Sequence, residues 1–266
     1  MKNIKVLILR TAGTNCDQET KVAFELVGAK VESLHVNELI KNKKKILDYQ
    51  IIAFPGGFTY GDDIAAGRIL ANELKMKLKD HLHNFLDKNG MMIGICNGFQ
   101  VLVKLGILPG AVGWKQEVTL ACNDSGKFED RWIYLKSPVA SHQSPENRCV
   151  WTKGIEDVIY LPVAHGEGKF IAGNSIVLKR LKDNGQIVFQ YCDSGGRLAG
   201  YPDNPNGSAE HIAGICDMTG RVFGLMPHPE RCVFRTQHPR WTRTRKNTVP
   251  DGLVIFKNAV EYLKQS

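Results

Sequence analysis

Apolar positions in the first part of the chain fall into two alternating kinds of run. Ile4 to Leu9 is short and β-rich, Asp17 to Val27 has helical spacing and stops at Gly28, and Val31 to Val36 returns to strand character. Tyr49 to Phe54 predicts a third strand, ending in Pro55-Gly56-Gly57. Leu70, Leu74, Leu78, Leu82 and Phe85 then sit at helical spacing on one long predicted helix, closed by Asn89-Gly90. Met91 to Ile95 is a continuous apolar strand suited to burial on both faces. This alternation predicts an α/β fold: a mostly parallel open sheet with helices on both faces.

The pattern changes after Gly110. Val118 to Ala121 and Trp132 to Leu135 flank the turn-rich Asn123-Asp124-Ser125-Gly126 and read as antiparallel strands. Ile187 to Tyr191, Ile212 to Cys216 and Val222 to Met226 predict further strands, the last two joined by a hairpin turn at Asp217 to Gly220. Leu253, Phe256, Val260 and Leu263 mark a closing helix. The second half thus adds antiparallel strands to the sheet. There is no internal repeat, and residues 1–266 read as a single domain.

Composition narrows the class. The chain has 266 residues, 43% hydrophobic and 23% charged, which is the profile of an ordinary globular protein. No apolar stretch reaches the length of a membrane span, and the basic start at Lys2 and Lys5 leads into a short run that reads as a strand rather than a signal peptide. Seven cysteines, none spaced C-x-x-C, argue against a disulfide framework or a structural zinc site and point to a reducing cytoplasm. The net charge of +8 allows nucleic acid or an acidic partner but is equally a solvated surface. Lys43 to Lys45 reads as the exposed side of a helix.

The candidate chemistry centres on Gly94-Ile-Cys96-Asn97-Gly98-Phe-Gln100. An apolar strand gives way to a helix at a cysteine flanked by glycines. This is the thiol counterpart of the G-x-S-x-G nucleophile elbow. The glycines let strand and helix approach, the turn lifts the side chain above the sheet, and the helix N-terminus aimed at the sulfur favours a thiolate. Cys122 and Cys216, inside predicted strands, better fit buried apolar cysteines. A thiolate nucleophile calls for a histidine, and that histidine for an acid. Among eight histidines, His81 and His83 read as helix surface, His35 ends a strand, and His142, His165, His211 and His238 read as loop residues. His228 stands apart in Met226-Pro-His-Pro-Glu230. Prolines on both sides predict extended backbone, in which Glu230 points the same way as His228 and can orient its ring. Gly56-Gly57 and the residue after the nucleophile, Asn97, can offer backbone N–H groups to an oxyanion.

These motifs together resemble the class I glutamine amidotransferases of the Cys-His-Glu type, whose fold is flavodoxin-like. Pro55-Gly-Gly-Phe-Thr-Tyr-Gly-Asp62, His165-Gly-Glu-Gly168, Asn204-Pro-Asn-Gly-Ser208 and Met226 to Arg231 occur in order over nearly the whole chain. They are most similar to the glutaminases that serve purine biosynthesis, and the Arg235 to Trp241 stretch looks more like the fused, single-chain form. The resemblance implies Cys96 as nucleophile, His228 as acid/base and Glu230 as its orienting acid. Gln100 would help hold L-glutamine, and Gly56, Gly57 and Asn97 would line the oxyanion site. It implies no metal and no cofactor in this chain. No G-x-x-x-x-G-K-[ST] loop is present, so ATP and Mg²⁺ would belong to a synthetase partner subunit, with or without a small accessory subunit.

Two other readings compete. One is another cysteine hydrolase of this fold, of the intracellular protease or deglycase kind, which usually places histidine directly after the elbow cysteine, where this chain has Asn97. A nucleic-acid-binding protein would use Arg231, Arg235, Arg240, Arg243, Arg245, Lys246 and Trp241, although no nucleic-acid motif accompanies that segment.

Overall fold

A computed structural model describes residues 3–138, 148–243 and 249–265. Its strands are β1 (Lys5–Arg10), β2 (Lys30–His35), β3 (Ile51–Phe54), β4 (Met91–Ile95), β5 (Val118–Cys122) and β6 (Glu129–Lys136). They continue with β7 (Val158–His165), β8 (Glu167–Ala172), β9 (Ile187–Cys192), β10 (Ile212–Cys216) and β11 (Val222–Leu225). The α-helices are α1 (Asp17–Leu26), α2 (Val36–Lys41), α3 (Arg68–Lys77) and α4 (Lys79–Asp87), then α5 (Asn97–Leu105), α6 (Ser175–Asp183) and α7 (Asp251–Gln265).

The main sheet has the order β2-β1-β3-β4-β11-β10-β9-β6-β7. From β2 to β11 every pairing is parallel. From β11 outward every pairing is antiparallel. The expected parallel sheet with added antiparallel strands is therefore what forms. β3, β4 and β11 are buried along their whole length, which explains their continuous apolar sequence. The chain leaves β1 toward β2 in one direction and β3 toward β4 in the other. Right-handed crossovers then place α1 and the β3–β4 helices on opposite faces. The reversal opens a crevice at the carboxyl ends of β1 and β3, where α/β folds bind ligands.

Several details differ from the sequence-based expectation. The single long helix is two, broken at buried Leu78, whose φ is −130°. Leucines spaced by four drift about 40° per step around a helix of 3.6 residues per turn. The break returns the stripe to the core. β5 and β6 do not pair with each other: β5 pairs with β8 in a separate two-stranded sheet, while β6 lies between β9 and β7. The crossing segment is held away from a hairpin by Asn123, whose Nδ2 donates to the carbonyls of Lys127 (2.9 Å) and His165 (2.8 Å). β7, β8 and α6 had no strong signal. Pro162 interrupts the β7 pattern, and a sheet-edge strand tolerates it.

Lys43 to Asp48 is a short 3₁₀ helix, with Lys45 bound to Glu32 at 2.6 Å. Cys122 is exposed, against expectation, while Cys216 is buried. No helix among the described residues is long and apolar enough to cross a membrane. His142, Arg245 and Lys246 lie outside the described residues.

Candidate active site

Because β1, β3, β4 and β11 are parallel neighbours, the segments leaving their carboxyl ends converge on one edge of the sheet. Those segments carry Cys16, Gly56-Gly57, Cys96 and His228. Cys96 sits between β4 and α5 at φ 52°, in the left-handed region that a non-glycine residue rarely adopts. Such strain costs on the order of 1–3 kcal/mol and persists only where the surroundings impose it. Here the close packing that the glycines permit imposes it. A Cβ on Gly98 would overlap the Phe54 carbonyl, and one on Gly94 would lie 2.6 Å from the Gly98 carbonyl. The Cys96 N–H donates to the Leu225 carbonyl at 2.8 Å, so the β11 pairing holds the backbone up to the elbow itself.

His228 and Glu230 are buried, at 2% and 0% exposure. Their contact is as expected, but the backbone that makes it is not. Pro229–Arg231 forms a 3₁₀ turn with proline at its start, not an extended strand. Proline's fixed φ suits the first position of a helical turn. The turn folds the carboxylate back so that Glu230 Oε1 meets His228 Nδ1 at 2.6 Å. The His228 N–H is tied to the Pro162 carbonyl at 2.8 Å. Burial pushes the imidazolium pKa down, but Glu230 and the nearby Cys96 outweigh it, and the pKa stands well above the usual histidine range. With Nδ1 committed to Glu230, Nε2 is the nitrogen left for proton transfer, and it makes no hydrogen bond among the described residues. The Cys96 sulfur points to the Ala164 carbonyl at 3.7 Å. Resting geometries of this kind commonly tighten only when substrate arrives.

The Gly56 carbonyl accepts from the N–H groups of Asn15 (3.3 Å) and Cys16 (3.2 Å). In a trans peptide the Gly57 N–H points the opposite way. The Asn97 N–H opens α5 and, as a first-turn donor, has no acceptor within its own helix. The Asn97 side chain is fully used: Oδ1 accepts from the Thr59 hydroxyl at 2.7 Å, and Nδ2 donates to Asp62 (3.0 Å) and Gln100 (3.2 Å). It clamps the loop after Gly57 onto the elbow. Gln100 also donates from Nε2 to the Glu167 carbonyl at 2.6 Å, leaving one amide hydrogen and one lone pair for a ligand.

His165 is not a loop residue but the buried end of β7. Both Asn123 amide hydrogens go to carbonyls, so its Oδ1 faces His165 Nδ1 at 3.1 Å and the proton is assigned to Nδ1. Burial and the charge of His228 lower its pKa to about 3. The site therefore sets His228, where the charged form is favoured, near His165, where burial favours the neutral form.

Sequence reasoning missed Cys16. It lies between β1 and α1, the same strand-to-helix position that Cys96 occupies between β4 and α5, and that was its available signal. Its sulfur lies 3.9 Å from His228 Nδ1. Donor atoms of Cys16, His228 and Glu230 fall within 4.8 Å of one another, as metal ligands do. However, Arg231 Nη2 donates to that sulfur at 3.1 Å, and a guanidinium there opposes a second cation. Elsewhere among the described residues, His83 pairs with Asp87, and the His238 ring lies tilted against Trp132 and Tyr160. Arg235 lies over the Trp241 ring, so part of the basic segment is folded on itself.

The sequence matches the CobB/CobQ-like glutamine amidotransferase domain family over residues 3–263. It is 50% identical to the phosphoribosylformylglycinamidine synthase subunit PurQ of Dehalococcoides mccartyi, with both chains covered in full. It is 42% identical to the PurQ subunit of Archaeoglobus fulgidus over 99% of this chain and 98% of the other. These relatives are named as separate subunits. Among solved structures, that of PurLQS from Thermotoga maritima matches with a TM-score of 0.70 and 27% identity, covering 98% of this chain and 100% of that one. A glutamine amidotransferase from the same organism shares the fold, with a TM-score of 0.57, 15% identity and full coverage of both chains.

Proposed function

The chain belongs to the CobB/CobQ-like glutamine amidotransferase family, and from that premise we propose that it is the glutaminase subunit of a phosphoribosylformylglycinamidine synthase. It hydrolyses L-glutamine to glutamate and ammonia. The ammonia goes to an ATP-dependent synthetase partner, which converts formylglycinamide ribonucleotide to formylglycinamidine ribonucleotide in purine biosynthesis. The observation that carries the residue-level reading is the line from a strained thiol to a buried imidazole to a buried carboxylate at the carboxyl edge of the parallel strands.

In this reading Cys96 gives its thiol proton to His228 Nε2 and its sulfur attacks the side-chain amide carbon of glutamine. Negative charge moves to the amide oxygen, which lies between the N–H groups of Gly57 and Asn97. His228 Nε2 gives its proton to the departing nitrogen, and ammonia leaves a γ-glutamyl thioester. The now neutral His228 takes a proton from water, which attacks the thioester and releases glutamate. Glu230 holds the ring through Nδ1 and stabilises its charged form. Gln100 helps shape the glutamine pocket through the Glu167 backbone. None of these steps uses a cofactor in this chain; ATP and Mg²⁺ act on the synthetase partner. With free thiols throughout, the cytoplasm is the compartment that suits this chemistry.

Reconstitution tests the reading. The purified chain is combined with the synthetase partner, any accessory subunit, ATP, Mg²⁺ and formylglycinamide ribonucleotide. Glutamate and formylglycinamidine ribonucleotide should then appear in equal amounts from glutamine. Synthesis that proceeds from added ammonia but releases no glutamate from glutamine would overturn it.

A further inference from the structure

Two buried thiols flank His228, and the mechanism above uses only one. The other, Cys16, is built into the site from several sides. Its backbone carbonyl accepts from the N–H (3.1 Å) and hydroxyl (2.7 Å) of Thr20, which fixes it to the first turn of α1. Its N–H donates to the Gly56 carbonyl at 3.2 Å, the same peptide whose far side presents the Gly57 N–H. Its thiol donates to Asn15 Oδ1 at 3.1 Å and accepts from Arg231 Nη2 at 3.1 Å. The sulfur lies 3.9 Å from His228 Nδ1. The three groups pack without slack. A Cβ on Gly56 would stand 2.8 Å from His228 Cε1 and 3.2 Å from the Cys16 sulfur.

We propose that Cys16 and Arg231 act together as a positioning pair for the proposed glutaminase reaction, coupling the His228–Glu230 dyad to the Gly56-Gly57 peptide. The dyad needs such support. Glu230 is wholly buried and its Oε2 has no hydrogen-bond partner among the described residues. A buried carboxylate so placed is costly unless a cation is held close. The His228 ring meets Oε1, and Arg231, the next residue, adds a second positive charge that acts on Glu230, with the Cys16 sulfur fixing where it sits. The thiol suits this task because burial raises its pKa and keeps it protonated. A neutral thiol accepts from the guanidinium without adding a second negative charge beside Glu230. The same residue's N–H holds the glycine peptide, so ring and oxyanion donor keep a common reference.

The inference rests on the proposed glutaminase reading, and the test separates the two. Cys16→Ala, Cys16→Ser, Arg231→Met and the Cys16→Ala/Arg231→Met double variant are assembled with the synthetase partner. Ammonia-dependent synthesis serves as the measure of assembly. Cys16→Ala and Arg231→Met should each lower glutamine-dependent kcat by about 10- to 100-fold, the scale of a displacement of about 1 Å in a catalytic group. The KM for glutamine should move by less than about twofold, because neither side chain is placed against the substrate. Cys16→Ser, which keeps a small donor and acceptor, should recover most of the rate. The double variant should be no worse than the weaker single variant, as for residues that act as one unit.

Wild-type kcat in Cys16→Ala, equal losses in the alanine and serine variants, or multiplied losses in the double variant would each overturn the proposal. If Cys16→Ala does not assemble, the serine and Arg231→Met variants still decide: a normal kcat in Arg231→Met or a large loss in Cys16→Ser counts against it. A wild-type complex that makes product from ammonia but not glutamine would instead fail the glutaminase reading.

Discussion

Cys96→Ala is expected to abolish glutamine-dependent synthesis by the assembled enzyme while leaving ammonia-dependent synthesis near its wild-type rate. Removing the nucleophile of a thiol or serine hydrolase leaves only binding and oxyanion stabilisation, a loss of roughly 10⁵–10⁶ in turnover. In the proposed reading glutamine should still bind, because the backbone donors at Gly57 and Asn97 and the Gln100 side chain remain. Alanine also suits the site sterically. Position 96 has its strained φ of 52° imposed by the close packing that Gly94 and Gly98 permit, and alanine makes no larger demand there than cysteine. The comparison of nitrogen sources is the informative part. The synthetase chemistry is assigned to another polypeptide, so ammonia should bypass the defect. If a correctly assembled Cys96→Ala enzyme also loses its ammonia-dependent activity, this division of labour is wrong.

The second large effect is expected from Glu230→Gln, with turnover falling by about 10⁴-fold, as for the equivalent loss in a serine-protease triad. The amide is nearly isosteric, so the 229–231 turn should form. What changes is the charge. Glu230 is the group that, with Cys96, lifts the His228 pKa against burial. Without it the ring favours the neutral form, and the amide oxygen left facing Nδ1 is a weaker acceptor than the carboxylate. The new amide hydrogens would also lie where Oε2 now has no partner, at a stability cost of about 1–3 kcal/mol. Thermal unfolding should therefore show a modest drop beside the large kinetic one, with KM little changed. A near-normal turnover would mean that Glu230 only shapes the turn and that another group orients His228.

Much of the parallel half was legible because each element there carries its own signal. Met91 to Ile95 is apolar without interruption because β4 is covered on both faces, and Gly94 and Gly98 announce a close approach that the structure realises. The Asp217 to Gly220 turn joins neighbouring antiparallel strands, so local sequence sufficed. The failures are long-range. Nothing near Val118 indicates that its partner is Ala172 rather than the next strand. Pro162 hides a strand that only its edge position makes possible. Leu70 to Phe85 keeps a regular spacing across a helix break because both pieces face the same core. In the site, Cys96, His228 and Glu230 stood out because two glycines and two prolines mark them. Cys16 has no such marking, and its nearness to His228 depends on β1 and β11 belonging to one run of parallel strands, far apart in sequence and separated in the sheet by β3 and β4. The backbone at 229–231 was misjudged for another reason: proline fits both extended chain and the start of a helical turn, and only tertiary contact chooses between them.

The two thiols beside His228 also make possible the most direct test of the central claim, that glutamine reacts at Cys96. The assembled enzyme is treated with a glutamine analogue bearing an electrophile in place of the side-chain amide, with and without excess glutamine, and its peptides are analysed by mass spectrometry. The account predicts label on the peptide containing Cys96, protection by glutamine, and loss of glutamine-dependent activity in step with labelling. Label on Cys16 or on any of the other cysteines, or complete inactivation with Cys96 unmodified, would contradict it.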